Sequence, residues 1–82
     1  MTATMKVRTR YLQLSQHIEE REEEFVLPAD SRYSDLLAAV RKKHPALAYV
    51  LMLALLDGLP PDPDTKLKDG DEVDFAATPV GG

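Results

Sequence analysis

Residues 5–11 alternate without a break, with Met5, Val7, Thr9 and Tyr11 on one parity and Lys6, Arg8 and Arg10 on the other. A period of two is the repeat of a strand with one face buried, so this stretch predicts a half-buried first strand. Phe25-Val26-Leu27 predicts a second, stopped by Pro28, which has no N–H to give to a ladder. Between them, residues 15–24 carry Glu19, Glu20, Glu22, Glu23 and Glu24 around Arg21. Charge at that density resists burial and predicts a solvated connection with at most a short helical turn. The period then changes. Leu36, Leu37, Val40 and His44 share one helical face, preceded by candidate N-caps within residues 30–35 and closed by Pro45. Arg41, Lys42 and Lys43 crowd the last turn, where positive charge suits the helix dipole.

Residues 47–56 are apolar throughout, and periodicity alone does not separate a strand from a buried helix there. The leucines and alanines prefer helix. Asp57-Gly58 and the prolines at 60, 61 and 63 nevertheless make a turn followed by irregular chain, which favours a strand over residues 50–56. A second turn at Asp69-Gly70 leads into a last alternating strand with Val73 and Phe75 inward. The order strand, strand, helix, strand, strand defines an α+β roll in which the first and last strands lie parallel at the centre. The expected architecture is thus a ubiquitin-like β-grasp: a mixed four- to five-stranded sheet, the fifth strand coming from the proline cluster, with one main helix packed across it. Residues 1–77 form the expected domain and residues 78–82 a flexible tail.

Eighty-two residues supply a single small core and leave no room for an autonomous catalytic cleft. The absence of cysteine removes disulfides, thiolate metal sites and a catalytic thiol. Ten Lys and Arg against fourteen Asp and Glu give a charge of −4, which argues against nucleic acid as a partner. The start has no basic segment followed by a long apolar core, and the longest apolar run, residues 46–56, is too short to span a bilayer; a cytoplasmic protein without membrane contact is expected. His17 and His44 have no second ligand at metal spacing, so no metal site is expected and each reads as a surface or helix-end histidine. Tyr11, Tyr33 and Tyr49 are too scattered for a base-stacking platform, and no phosphate-binding loop or nucleophile elbow appears.

The chemistry concentrates at Gly81-Gly82. Two residues without a Cβ can be fed through a narrow tunnel into another protein's active site. Residues 67–75, followed by Thr78-Pro79-Val80-Gly81-Gly82, resemble the C-terminal signature of MoaD/ThiS sulfur carriers. As a pattern the resemblance extends over nearly the whole chain, and its length favours the MoaD branch. Ala77-Thr78 stands where that family commonly has two prolines, although the spacing from Phe75 to Gly82 is kept. Ubiquitin-like archaeal modifiers share the fold and the ending.

This resemblance implies a carrier, not an autonomous catalyst. A MoeB/ThiF-like enzyme would use ATP to adenylate Gly82, and sulfur would then displace AMP to give a C-terminal thiocarboxylate. Gly81 provides clearance, while Thr78, Pro79 and Val80 form the tether. No cofactor is expected on the carrier itself. The implied acceptor is a MoaE-like large subunit of molybdopterin synthase; thiamine formation, tRNA thiolation and conjugation of Gly82 to lysines are the alternatives. A non-covalent β-grasp binding module is a third class. On the strand over residues 50–56, one of the sets Leu51, Leu53, Leu55 or Val50, Met52, Ala54, Leu56 cannot pack under a single helix and is left as a docking surface. The outward row of Lys6, Arg8 and Arg10 either pairs with Glu72 and Asp74 across strands or guides docking onto an acidic patch. The expected partner-binding set is Leu51, Leu53, Leu55, Arg8, Arg10 and Phe75.

Overall fold

The alternation of residues 5–11 becomes strand β1 (Thr4–Leu12), with Met5, Val7, Thr9 and Tyr11 buried and Lys6 and Arg8 exposed. It is followed by β2 (Glu22–Pro28), α1 (Tyr33–Lys43), a 3₁₀ turn (Pro45–Leu47), β3 (Met52–Leu56) and β4 (Glu72–Ala77). The computed structural model describes residues 3–77. The sheet order is β2-β1-β4-β3, with β1 and β4 parallel at the centre and both outer pairs antiparallel. Leu36 and Val40 of α1 join Met5, Val7, Leu27, Ala54, Val73 and Phe75 in one core on the inner face of this sheet. The expected β-grasp is therefore the fold observed.

One expectation needs correction, and the choice between four and five strands is decided. β2 begins at Glu22 and not at Phe25, because its acidic start pairs with β1 in the register Arg10↔Glu22, Thr9↔Glu23, Arg8↔Glu24. Opposite charges facing each other across strands tolerate a charge density that a core strand would not. Among the described residues, the proline-rich stretch contributes no fifth strand. Only isolated bridges occur around it, Arg32↔Lys66 and Leu56↔Leu59, as expected where prolines lack ladder donors.

The helix start is secured by tertiary partners. Arg32 is the N-cap residue, and its N–H donates to the Asp35 carboxylate at 2.8 Å. The Tyr33 N–H donates to the Thr65 carbonyl and the Ser34 N–H to the Pro63 carbonyl, so first-turn donors that lack intrahelical partners are satisfied by a loop. Asp57 and Gly58 both take positive φ, 52° and 82°, while Leu56 and Leu59 exchange two backbone hydrogen bonds, the geometry of a type I′ turn. Among the described residues no helix is long and apolar enough to cross a membrane.

Candidate functional site

Strand parity decides what the open face of the sheet presents. Even-numbered residues of β1 and β4 and odd-numbered residues of β3 point away from α1. The registers set Leu12 beside Ala76 and Ala76 beside Leu53, an apolar row across three strands. Leu12 is 41% and Leu53 45% exposed, and Leu51, just before β3, is 72% exposed. The neighbouring row is Arg10, Asp74 and Leu55, of which Leu55 is half-buried. The face thus grades from charged to apolar towards the end where β1 and β4 finish together. At that end an open groove of about 900 Å³ runs along Leu12, Leu14, Ile18, Arg21 and Ala76.

Of the two β3 sets left open by the sequence, Leu51, Leu53 and Leu55 face outward. Met52, Ala54 and Leu56 turn inward towards the core. The basic row divides. Arg10 donates through Nη1 to Glu72 at 3.3 Å and lies within 4 Å of Glu22 and Asp74. The hydrogen bond to Glu72, then the charge of Asp74, raises its pKa further above an already high value. Being exposed, these pairs add little stability; their effect is to hold the guanidinium over the sheet. Arg8 is exposed, and among the described residues its guanidinium forms no ion pair. Phe75 must be removed from the docking set. It is 0% exposed, its ring stacked between Tyr11 at 6.1 Å and Tyr33 at 6.3 Å. Its inward parity makes it a core anchor of β4, one that fixes where the strand's outer residues sit.

A second constellation lies beneath β2, and the sequence reading missed it. Glu23 belongs to β2, its side chain only 6% exposed, and is not part of a solvated link. Its Oε2 meets Lys43 Nζ at 2.5 Å, and its Oε1 meets His44 Nε2 at 2.5 Å and accepts from the Tyr11 hydroxyl at 2.7 Å. The Thr9 hydroxyl donates to the Tyr11 oxygen at 2.9 Å. Burial pushes the Glu23 pKa up, but the hydrogen bonds from Lys43, Tyr11 and His44 outweigh it and hold the carboxyl below the ordinary carboxylate value. Burial, opposed by the Thr9 hydroxyl and reinforced by Glu23, raises the Tyr11 phenol well above its usual range. The bond to Glu23 raises Lys43. His44 caps α1 through its N–H to the Val40 carbonyl, but its ring is buried against Tyr11 and is not at the surface. The signal was parity: counting back from Leu27 and Phe25 brings Glu23 to the inner face.

Gly82, Gly81, Val80, Pro79 and Thr78, the expected reacting residue and its tether, lie outside the described residues, which stop at Ala77 in β4.

A mixed sheet with parallel central strands and one helix across its inner face defines a ubiquitin-like β-grasp protein, and its open face carries an apolar row. The ThiS family model matches residues 10–82, and the chain belongs to that family. Among solved structures it is similar to a Pyrococcus furiosus protein named "Putative molybdopterin converting factor, subunit 1" (26% identity, TM-score 0.84, 92% of this chain and 99% of the other covered). Haloferax volcanii small archaeal modifier protein 1 has the same fold in two crystal structures. One matches at 20% identity and TM-score 0.82, covering 94% of this chain and 99% of the other; the second matches at 19% and 0.80, covering 92% and 99%. Among curated proteins no sequence matches.

Proposed function

We propose that this chain is a sulfur carrier, the MoaD-like small subunit of molybdopterin synthase, and that its reacting group is the carboxyl of Gly82. A partner of the MoeB/ThiF type supplies the site where that carboxylate attacks ATP, forming an acyl-adenylate and releasing pyrophosphate. Hydrosulfide attack on the acyl carbon then forms a C–S bond and breaks the C–O bond to AMP, leaving a thiocarboxylate. With a persulfide donor the first product is an acyl disulfide, which a second thiol reduces to the same thiocarboxylate. All of this sulfur resides on the terminus, and none needs a cysteine, which the chain lacks. The carrier holds no cofactor of its own, and the ATP-dependent step suits the cytoplasm.

The observation that carries this reading is the apolar row of Leu12, Ala76 and Leu53, with Leu51 beside it, at the end of the sheet from which β4 continues towards Gly81-Gly82. Docking that row buries apolar surface worth about 25 cal/mol per Å². It also brings the segment after Ala77 to the partner. Family membership supports a carrier of the ThiS type, and the likeness to the Pyrococcus furiosus protein supports the molybdopterin branch.

The test is the intact mass of the protein recovered from its own cells, with a parallel search for its C-terminal remnant on lysines. A fraction heavier by one oxygen-to-sulfur exchange at Gly82 is the expected result. Lysine-linked remnants without that fraction would make the chain a protein modifier, and neither signal in cells making molybdopterin would leave a non-covalent binding module.

A further inference from the structure

The chain contains two Asp-Gly pairs, Asp57-Gly58 and Asp69-Gly70, and both lie in exposed turns with the glycine at positive φ. An aspartyl carboxyl can be attacked by the nitrogen of the next residue, and glycine, without a Cβ, leaves that nitrogen open. The local sequence is therefore equally permissive at both places. The reaction also needs a side chain free to swing and an amide nitrogen not tied to an acceptor.

The tertiary structure separates the two pairs. Asp69 Oδ1 accepts from the Lys6 N–H at 2.8 Å, and the Gly70 N–H donates to the Lys6 carbonyl at 2.8 Å. Both reacting groups are thus held on β1. Their flank is tied as well, because the Lys68 N–H donates to the Asp71 carboxylate at 2.8 Å and the Arg8 N–H to the Asp71 carbonyl at 2.9 Å. Among the described residues, neither the Asp57 carboxylate nor the Gly58 N–H has a hydrogen-bond partner. Two backbone bonds between Leu56 and Leu59, of 2.8 and 3.0 Å, close that turn, and Leu59 is 71% exposed. Asp57 is also held at φ 52°, in the left-handed region that costs an L-residue energy. Opening this turn breaks few contacts, so it opens more often than the turn fastened to β1.

We propose that Asp57 is a site of spontaneous isoaspartate formation through a succinimide with Gly58, and that Asp69 is protected from the same reaction. In the first step the Gly58 nitrogen bonds to Asp57 Cγ and the Cγ–O bond breaks. The hydroxyl of the protonated carboxyl leaves as water, together with the Gly58 amide proton. Water then opens the ring. Attack at Cγ restores aspartate, while attack at the original peptide carbonyl breaks its C–N bond and leaves the chain running through the side chain, with the α-carboxylate free. Nothing is oxidised, and the mass is unchanged. The added methylene lengthens the main chain between Leu56 and Leu59, so their two bonds are not both kept and the end of β3 loosens. The freed α-carboxylate is a substrate for an isoaspartyl carboxyl methyltransferase that uses S-adenosylmethionine.

The experiment is ageing of the untagged full chain in neutral buffer, native and in guanidinium chloride. Peptide mapping with electron-transfer fragmentation distinguishes the two linkages, and methyl transfer from labelled S-adenosylmethionine counts the isoaspartyl groups. In the native chain isoaspartate should accumulate at 57 at least about tenfold faster than at 69, as expected for a turn that opens more readily. In denaturant the two rates should converge. Asp57→Asn and Asp69→Asn keep an acceptor oxygen and report the same ring closure by loss of ammonia, which changes the mass; the first should convert faster by the same factor. Equal native rates, faster conversion at 69, or a difference as large in denaturant as in the native chain would overturn the proposal.

Discussion

Glu23 shows how much a single side chain can carry in a domain of this size. It joins β2 to β1 through Tyr11 and to α1 through Lys43 and His44, so its loss removes the acceptor of the buried Tyr11 hydroxyl and His44 ring and the ion pair of the exposed Lys43. Its pKa is lower in the folded chain than the ordinary 4.5. The stabilisation is therefore present above that ordinary value and is lost as pH falls through the folded one. Glu23→Gln should lower stability at neutral pH by about 2–3 kcal/mol. The deficit should shrink as pH falls through the lowered folded value, below which the wild-type carboxyl is protonated as well. Urea unfolding across that range checks this, and two parallel stability curves would show that the network does not govern the acid limb. The local pattern concealed the residue because five glutamates around one arginine look like solvated chain. Only the parity shared with Phe25 and Leu27 separates Glu23 from its neighbours, and only the tertiary fold supplies the cation and the imidazole that make its burial tolerable.

At the scale of elements, β3 is the segment whose sequence says least. A wholly apolar run has no face of its own; the face is assigned when its Ala54 falls opposite Phe75 of β4. The alternation of β1 and β4, by contrast, was readable directly, since polar and apolar residues already mark the two sides. The start of α1 was legible only as a region, because its N–H groups find the carbonyls of Pro63 and Thr65, partners distant in the chain. Once β3's parity is set, Leu53 and Ala54 become a matched pair. Leu53→Glu should change the stability of the isolated domain by less than about 1 kcal/mol, the span of strand preferences at such positions. It should weaken association with the adenylating partner at least tenfold, roughly 1.4 kcal/mol. Ala54→Glu places a carboxylate in the core and should abolish cooperative unfolding. Thermal melts and partner titrations of both variants separate the cases; undiminished partner affinity in Leu53→Glu would remove the open face from docking.

For the molecule as a whole, the parallel central pair matters most. Because β1 and β4 run the same way, their ends arrive at one edge, and β3, antiparallel to β4, brings Leu51 and Met52 to that same edge. The apolar row is thereby adjacent to Ala77, where the described part of β4 ends. The Gly81-Gly82 ending stands in the sequence itself, whereas the apolar row of Leu12, Ala76 and Leu53 required the registers. This division of labour predicts that stability and activation can be separated. The last fully buried described residue is Phe75, so Gly81→Val should leave the melting transition within about 0.5 kcal/mol of wild type. In the partner's tunnel a β-branched side chain would hold the carboxylate back from the α-phosphate of ATP, and a displacement of about 1 Å costs on the order of 100-fold in rate. Pyrophosphate release by the adenylating enzyme, measured with carrier in excess, reads that loss directly. A wild-type rate in Gly81→Val would mean that the terminus is not threaded through a narrow passage, and that the two glycines serve reach and not clearance.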